Sequence, residues 1–260
     1  SSALGGCAVL ENFAGGIGRS LNAYDQATGN WTQFFVSAGG SIAMLTGGFR
    51  NDSMVLAEQR GPVIRDVWTW TTLPNGSVKQ HEEFFLNGVL LPNGFLGIYT
   101  RRATPPSPPA PEVTACARDA SRQMDFLVGT WDVYSGHGKG QGAAQGTLVV
   151  SVGAGGCLIE ESLKGPGGFE ALSYASYHAP QRRWVRSYMD TEARYIRLFG
   201  NPDGKSMVMT GNRPGANGST VVVRVTWEPM SPNLVLQRWE FSADGGTTFN
   251  ARQEYTFVKR

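Results

Sequence analysis

Two pairs of adjacent glutamates are the first residues of this sequence that could perform acid–base chemistry. Glu82-Glu83 and Glu160-Glu161 each lie in a short run with the character of a β-strand. Adjacent strand residues point to opposite faces, so only one glutamate of each pair can face a cavity. Catalysis by two carboxylates needs both to face the same substrate. The pairs therefore predict structural or solvated carboxylates, and no catalytic residue is assigned.

Other signals for metal, phosphate or catalytic sites are weak. The histidines His81, His137 and His178 stand in unrelated contexts without H-x-H or H-E-x-x-H spacing, so the sequence predicts no metal site and no cofactor. The segment GHGKGQG (136–142) lacks the Gly-Lys-Ser/Thr ending of a phosphate-binding loop and favours a hairpin. The segment SADGGTTF (242–249) fits the Asp-box turn of sialidase propellers, but it occurs once and indicates a structural turn.

A set of aromatic residues with two arginines is the more informative candidate site. Aromatic side chains at a barrel mouth, supported by a few polar groups, would suit a small apolar or aromatic ligand. The alternative is that the same rings fill the core of a small barrel. The candidates are Tyr174, Trp184, Arg186, Tyr188, Arg224 and Trp227 in the second half of the chain, and Tyr24, Trp31, Phe35 and Trp70, interpreted as matched sites, in the first half.

The elements that would position these residues are short β-strands. Runs such as VIRDVWTWTTL and STVVVRVTWE alternate polar and apolar residues and are divided by Gly, Asn, Asp and Pro. This pattern predicts an all-β protein of antiparallel strands joined by hairpins. The net charge of +2 gives little support to binding of nucleic acid or an anionic membrane. No apolar run approaches the roughly 20 residues of a transmembrane segment, and no signal peptide is evident.

An internal repeat divides the chain into two halves. The segment GGCAVLEN (5–12) matches GGCLIEES (155–162), and the match continues from Trp31 with Trp184 to Trp70 with Trp227. This predicts a first domain over residues 1–103, a Pro-rich linker over 104–114 and a second domain over 115–260. The first copy lacks a counterpart of 115–154. We therefore expect a first barrel without its N-terminal strands, so that either the natural chain is longer or a protein partner or second copy completes the barrel.

The segments RQMDFLVGTWDV, GGCLIEE, RVTWE and LQRWEFSADGGTTF, with counterparts in the first half, resemble the DUF1579 family of bacterial exported proteins of unknown function. The resemblance implies two tandem lipocalin-like (calycin) antiparallel β-barrels. Gly129-Thr130-Trp131 fits the G-x-W that begins such barrels, and the strand of Trp131 should pair with the closing strand EYTFVKR. The first copy departs from the pattern, since it lacks the G-x-W block and has LNGVLLPNGF in place of the SADGGTTF turn.

The three cysteines connect this resemblance to a cellular compartment. The resemblance implies a disulfide between Cys116 and Cys157, which leaves Cys7 unpaired. A disulfide indicates an oxidising compartment, either the periplasm or the exterior. The alternative is three buried free thiols in a cytosolic protein.

Three classes of function remain open. The first is a binding or carrier protein that holds a small hydrophobic molecule in a barrel cup, and it is preferred because no catalytic constellation is visible. The second is an isomerase, cyclase or hydrolase acting in such a cup. The third is an accessory subunit of an exported assembly, for which a filled barrel and a large outer apolar patch would be expected.

Overall fold

The structure is a computed structural model of the 260-residue chain. It describes residues 1–13, 17–92, 94–101, 115–136 and 142–260, apart from the side chains of residues 251 and 252. The predicted linker, His137 and most of the GHGKGQG segment lie outside the described residues. We call residues 1–101 the sheet half and residues 115–260 the barrel half.

The chain is all-β, as the alternating runs predicted. The strands of the sheet half are β1 (Ser2–Ala3), β2 (Ala8–Phe13), β3 (Gly18–Asp25), β4 (Asn30–Ser37), β5 (Ile42–Arg50), β6 (Ser53–Arg60), β7 (Ile64–Thr72), β8 (Val78–Leu86), β9 (Val89–Leu90) and β10 (Leu96–Tyr99). Those of the barrel half are β11 (Gly129–Ser135), β12 (Ala144–Gly153), β13 (Leu158–Lys164), β14 (Glu170–His178), β15 (Arg183–Asp190), β16 (Tyr195–Asp203), β17 (Ser206–Pro214), β18 (Thr220–Ser231), β19 (Leu234–Ser242) and β20 (Asn250–Lys259).

The helices are short 3-10 turns, at Leu4–Gly6, Asp119–Arg122, Asp125–Leu127, Ala154–Gly156, Pro166–Gly168, Ala179–Gln181 and Ala216–Gly218. None of the helices in the described part of the chain has the length and apolar character needed to cross a membrane. The turns at Leu4–Gly6 and Ala154–Gly156 precede the two matched cysteines and share a left-handed glycine, with φ of 63° at Gly5 and 61° at Gly155. The repeated GGC segment therefore forms the same turn in both halves.

The barrel half is a closed antiparallel barrel of ten strands, β11 to β20 in chain order. Closure occurs where β11 pairs with β20, with Trp131 opposite Lys259 and Val133 opposite Phe257. The predicted pairing of the Trp131 strand with the closing strand is confirmed. Because all ten strands have two neighbours, the barrel has no free edge.

The sheet half is an open antiparallel sheet in the described residues, rather than a closed barrel. The strand order runs from β1 through β8 to β10, and β9 pairs with β8. In the first copy β1 is only two residues long, whereas its counterpart β12 in the barrel spans ten residues. The sequence predicted a first barrel without its N-terminal strands, and the described residues form an open sheet whose edges, β1 and β10, do not meet.

One face of this sheet packs against the outer wall of the barrel, so the two halves share a core instead of each having only its own. The shared core is formed from the sheet by Leu4, Ala8, Leu21, Ala23, Phe34, Val36 and Ile42, and from the barrel half by Cys116, Ala154, Cys157, Leu158, Tyr174, Val185 and Met189. An apolar sheet face must be covered by another layer, and the barrel wall supplies that layer.

A disulfide and an ion pair lie where the two halves pack together. Cys116 and Cys157 are bonded, with Cα atoms 5.0 Å apart, and Cys7 is free, so the predicted pairing is confirmed. The bridge lies in the shared core. Nearby, Arg19 Nη1 of the sheet lies 2.8 Å from Glu160 Oε1 of the barrel. Burial raises the pKa of Glu160, and the Arg19 charge opposes that rise.

Candidate functional site

The barrel encloses a cavity of about 690 Å³ that is open at one end. The volume lies within the roughly 300–1,000 Å³ of small-molecule sites. The rim is formed by hairpin turns of the barrel together with Asp25, Gln26 and Ala27 from the β3–β4 turn of the sheet. We call this cavity the cup. Its inner wall includes Glu161, Arg186, Tyr188, Trp239, Phe241 and Tyr255.

The other end of the barrel is filled with side chains. Trp131, Trp184 and Trp227 are at most 1% exposed and pack with Met124 and Leu127 from the segment that precedes β11. Trp131 Nε1 donates a hydrogen bond to the Leu127 carbonyl oxygen over 2.7 Å. These residues form the floor of the cup. The predicted site residues Trp184 and Trp227 belong to this floor. They fill the core of the barrel, as the alternative interpretation of the aromatic residues stated.

A buried ion pair lies on the cup wall, between β13 and β15. Arg186 donates two hydrogen bonds to Glu161, from Nε to Oε1 over 3.0 Å and from Nη2 to Oε2 over 2.8 Å. The side chains are only 3% and 7% exposed. The Arg186 guanidinium also lies over the rings of Tyr188 and Trp227, at 5.4 and 5.1 Å from the ring centroids. Arg186 is therefore held rigidly by two hydrogen bonds and two aromatic faces.

Three buried polar atoms in this region have no hydrogen-bond partner among the described residues. They are Arg186 Nη1, Ser173 Oγ and Trp227 Nε1. Ser173 lies between Glu161 and Tyr188 in the strand register, on the same inner face. All three atoms can donate a hydrogen bond. Arg186 and Ser173 line the cup, whereas Trp227 lies in the floor beneath it, so two of these unsatisfied donors belong to the cup wall.

The rim carries a second charged cluster. Asp190 is fully buried and accepts hydrogen bonds from Tyr188 Oη over 2.9 Å and Arg194 Nε over 2.8 Å. Burial, followed by the Asp190 charge, raises the pKa of the Tyr188 phenol above its usual range, so Tyr188 is neutral at physiological pH. Arg213 also lines the cup, with its guanidinium 4.3 Å from the centroid of the Phe241 ring.

Two predicted site residues of the barrel half lie outside the cup. Tyr174 faces the sheet in the shared core. The next residue, Ala175, faces the barrel interior, and neighbouring residues of a strand point to opposite faces. Arg224 alternates with the buried Val223 and Val225, so it lies on the outer wall, where Nε and Nη2 donate to Glu240 over 2.8 and 2.9 Å. Of the barrel candidates, the structure places Arg186 and Tyr188 in the cup wall.

The four candidates of the sheet half lie on the sheet itself and not in the cup. Trp31, Phe35 and Trp70 pack around the small buried cluster of Ala43, Leu45 and Leu56. Tyr24 is 40% exposed, and its ring lies 5.9 Å from that of Trp31. These aromatic residues form the face of the sheet opposite the barrel.

The strand register corrects one of the matched sites. Tyr24 stands opposite Trp31 in the sheet, as Tyr177 stands opposite Trp184 in the barrel. The ring centroids are 5.9 Å apart in the first pair and 6.2 Å in the second. The counterpart of Tyr24 is therefore Tyr177 and not Tyr174, because a shift of three residues along a strand moves a side chain to the opposite face.

The pair Glu160-Glu161 behaves as its adjacency predicted. Glu160 points outward to Arg19 of the sheet, and Glu161 points inward to Arg186. The described residues contain no group of three or more His, Cys, Asp or Glu side chains arranged to hold a metal ion. His81 lies on β8 and His178 at the end of β14. Burial lowers the pKa of His178.

Several cup residues were missed by the sequence reasoning. Trp239 and Phe241 of β19 and Tyr255 of β20 line the cup, and Trp239 Nε1 donates to Gln237 Oε1 over 3.0 Å. The signal was present in the alternation of LQRWEF, where Gln237, Trp239 and Phe241 share a face.

No protein-family model matches this chain, and a comparison with curated proteins gives no significant match.

Proposed function

We propose that the chain is a binding protein that holds one small apolar or aromatic molecule in the cup of the barrel half. The observation that supports this is a cavity of about 690 Å³ above a filled floor, walled by Tyr188, Trp239, Phe241 and Tyr255. Aromatic walls with a few convergent polar groups are typical of small-molecule sites. The rings would supply the contact area, and the polar groups at the inner end would fix the orientation.

The charges of the cup favour binding over catalysis. An isomerase, cyclase or hydrolase needs an acid or base that is free to exchange a proton with its substrate. Glu161 is held in a two-point ion pair by Arg186, and Asp190 accepts from Arg194 and Tyr188. The two buried carboxylates of the cup are thus engaged in structural contacts, which supports the non-catalytic proposal.

The proposal is tested with N-phenyl-1-naphthylamine, a neutral aromatic probe whose fluorescence rises in apolar surroundings. We expect saturable binding of one probe per chain. Leu148 lines the cup, and its neighbour Val149 is 45% exposed on the outer wall. Leu148→Trp should fill part of the cup and weaken binding, whereas the matched control Val149→Trp should bind as the wild type does. No saturable binding, or equal binding by both variants, would reject the cup as the site.

The family and the location of the chain are part of the same proposal. The resemblance to DUF1579 proteins and to tandem calycin-like barrels is supported by the ten-stranded closed barrel and by the GGC turn that recurs in both halves. A periplasmic or secreted location is supported by the Cys116–Cys157 disulfide, which would persist in an oxidising compartment.

A second candidate function, an accessory subunit, is favoured by the free edge of the sheet half. Leu96 and Ile98 of the edge strand β10 are 64% and 56% exposed, and β10 pairs only with β8 among the described strands. An exposed apolar edge strand is a template for strand addition. The partner would be a protein segment with alternating apolar residues that pairs with β10.

This second candidate is tested by native mass spectrometry of the protein isolated from its source. A bound protein that is lost in Leu96→Lys/Ile98→Lys, and retained in the control Val149→Lys on the barrel wall, would support it. A monomer without a bound protein in all three samples would reject it. The probe experiment on the cup is unaffected by either result, because β10 does not line the cup.

A further inference from the structure

We propose that the molecule held in the cup is uncharged and presents a carbonyl oxygen to Arg186 at the inner end. This inference rests on the proposed binding function and names the chemical class of its ligand. It follows from two observations, which are the pairing of the buried charges and the excess of hydrogen-bond donors.

The buried charges of the cup compensate one another. The Arg186 guanidinium is neutralised by Glu161 and the Asp190 carboxylate by Arg194, with closest distances of 2.8 Å in both pairs. A carboxylate ligand bound at Arg186 would lie beside Glu161 and leave a buried negative charge without a counter-ion. An ammonium ligand would likewise lack a free carboxylate there. Burying an uncompensated charge is strongly unfavourable, so the inner end disfavours ionised ligands.

The unsatisfied polar atoms specify what a neutral ligand should carry. Arg186 Nη1 and Ser173 Oγ, on two side chains that line the cup, are buried and have no partner among the described residues. The arginine side chain donates only, and the serine hydroxyl can donate. An unsatisfied buried donor is unfavourable, and its compensation stabilises the complex. A carbonyl oxygen accepts with two lone pairs, carries no charge and so meets both requirements.

The rigid position of Arg186 makes this contact selective. Two hydrogen bonds to Glu161 and the rings of Tyr188 and Trp227 hold the guanidinium in place. A donor that is already held in position loses little further conformational entropy when a ligand binds. A planar aromatic carbonyl compound would place its ring among Trp239, Phe241 and Tyr255 and its oxygen at Arg186.

The test compares three ligands of nearly equal shape by calorimetry on the full chain. They are 2-acetylnaphthalene, 2-isopropenylnaphthalene, in which a CH₂ group replaces the carbonyl oxygen, and 2-naphthoate. We expect the ketone to bind at least about tenfold more tightly than the hydrocarbon. A hydrogen bond from a charged donor contributes more binding free energy than one between neutral groups. The naphthoate should bind more weakly than the ketone, because the only cation that the described residues place at the inner end is already paired with Glu161. Tightest binding by the naphthoate would overturn the inference.

A matched pair of variants assigns the preference to Arg186. Glu161→Leu/Arg186→Met replaces the buried ion pair with apolar side chains, a change that is often tolerated. Glu240→Leu/Arg224→Met makes the same change to a two-point ion pair on the outer wall. The ketone preference should disappear in the first variant and persist in the second.

The possible failures are distinguishable. If none of the three ligands and no neutral probe binds to the wild type, the proposed function is wrong. If the hydrocarbon binds as tightly as the ketone to the wild type, the cup remains the site and only the carbonyl inference fails. The comparison on the wild type decides the inference even if Glu161→Leu/Arg186→Met does not fold.

Discussion

Gln33 of the sheet and Arg186 of the barrel occupy the same position of the repeat, and each faces the glutamate at the matching position. Gln33 Nε2 lies 3.4 Å from Glu11 Oε2, and Arg186 Nη2 lies 2.8 Å from Glu161 Oε2. The sheet half thus has an amide where the barrel half has a cation. Without that cation, burial raises the pKa of Glu11, although a hydrogen bond from Ser20 favours its charged form.

The substitution Gln33→Arg should restore the ion pair in the sheet half. The folded-state pKa of Glu11 lies above its unfolded value, so the wild type loses stability as pH rises through the folded pKa. An arginine at position 33 would favour the charged carboxylate and relieve that loss. We expect the unfolding free energy of Gln33→Arg, relative to the wild type, to increase between about pH 4 and pH 7. Urea unfolding at several pH values measures this, with Gln33→Met as the uncharged control. A pH-independent difference would contradict it.

Asp66 predicts a second pH dependence in the sheet half. Burial and the nearby Glu82 raise the pKa of Asp66 to about 6, while Arg60, 3.4 Å away, opposes the rise. The raised pKa means that the stability contribution of Asp66 is present below about pH 4 and is lost as pH rises through 6. Asp66→Asn should therefore be more stable than the wild type at pH 7, by roughly 1–3 kcal/mol, and the gain should vanish near pH 4. The matched control is Asp203→Asn, which removes a carboxylate at an exposed position.

The disulfide between Cys116 and Cys157 should be a major source of stability. It closes a loop over a sequence separation of 41 residues, for which chain entropy predicts about 3–4 kcal/mol. Cys116→Ala/Cys157→Ala should lower the unfolding free energy by about that amount, whereas Cys7→Ala should change it little. Alkylation of the unreduced protein followed by mass spectrometry should label Cys7 alone. Labelling of Cys116 or Cys157 would show that the bridge does not form.

Two neighbouring glycines of β5 provide a matched test of the sheet packing. A Cβ atom at Gly47 would lie 2.1 Å from the Val55 carbonyl oxygen, whereas a Cβ at Gly48 would meet nothing within 4 Å. Gly200, the counterpart of Gly47 in the barrel, has the same close approach, at 1.9 Å from the Val208 carbonyl oxygen. Gly47→Ala should therefore destabilise the protein by about 1–3 kcal/mol, and Gly48→Ala should not. Thermal unfolding of the two variants measures this difference in stability. Equal melting temperatures would contradict the expectation.

The sequence by itself determined the strands and the repeat. Strands of period two and turn residues are local properties, so the runs around Trp70 and Trp227 could be assigned without the fold. The matched GGC segments gave the offset between the two copies, and the Pro-rich tract marked the boundary between them. The family resemblance then supplied the pairing of Cys116 with Cys157 and of the Trp131 strand with the last strand, and both are observed.

Only the tertiary structure decided which faces are covered and by what. Alternation shows that Tyr174 and Ala175 face opposite sides, but it does not show which side is the barrel interior. The sheet half has the same alternation as a barrel wall, so its packing on the barrel was not apparent from its pattern. The ion pair of Glu161 and Arg186 joins side chains 25 residues apart on two strands. Such a contact depends on the register and curvature of the whole barrel, which bring the two strand positions together, and no local pattern encodes it.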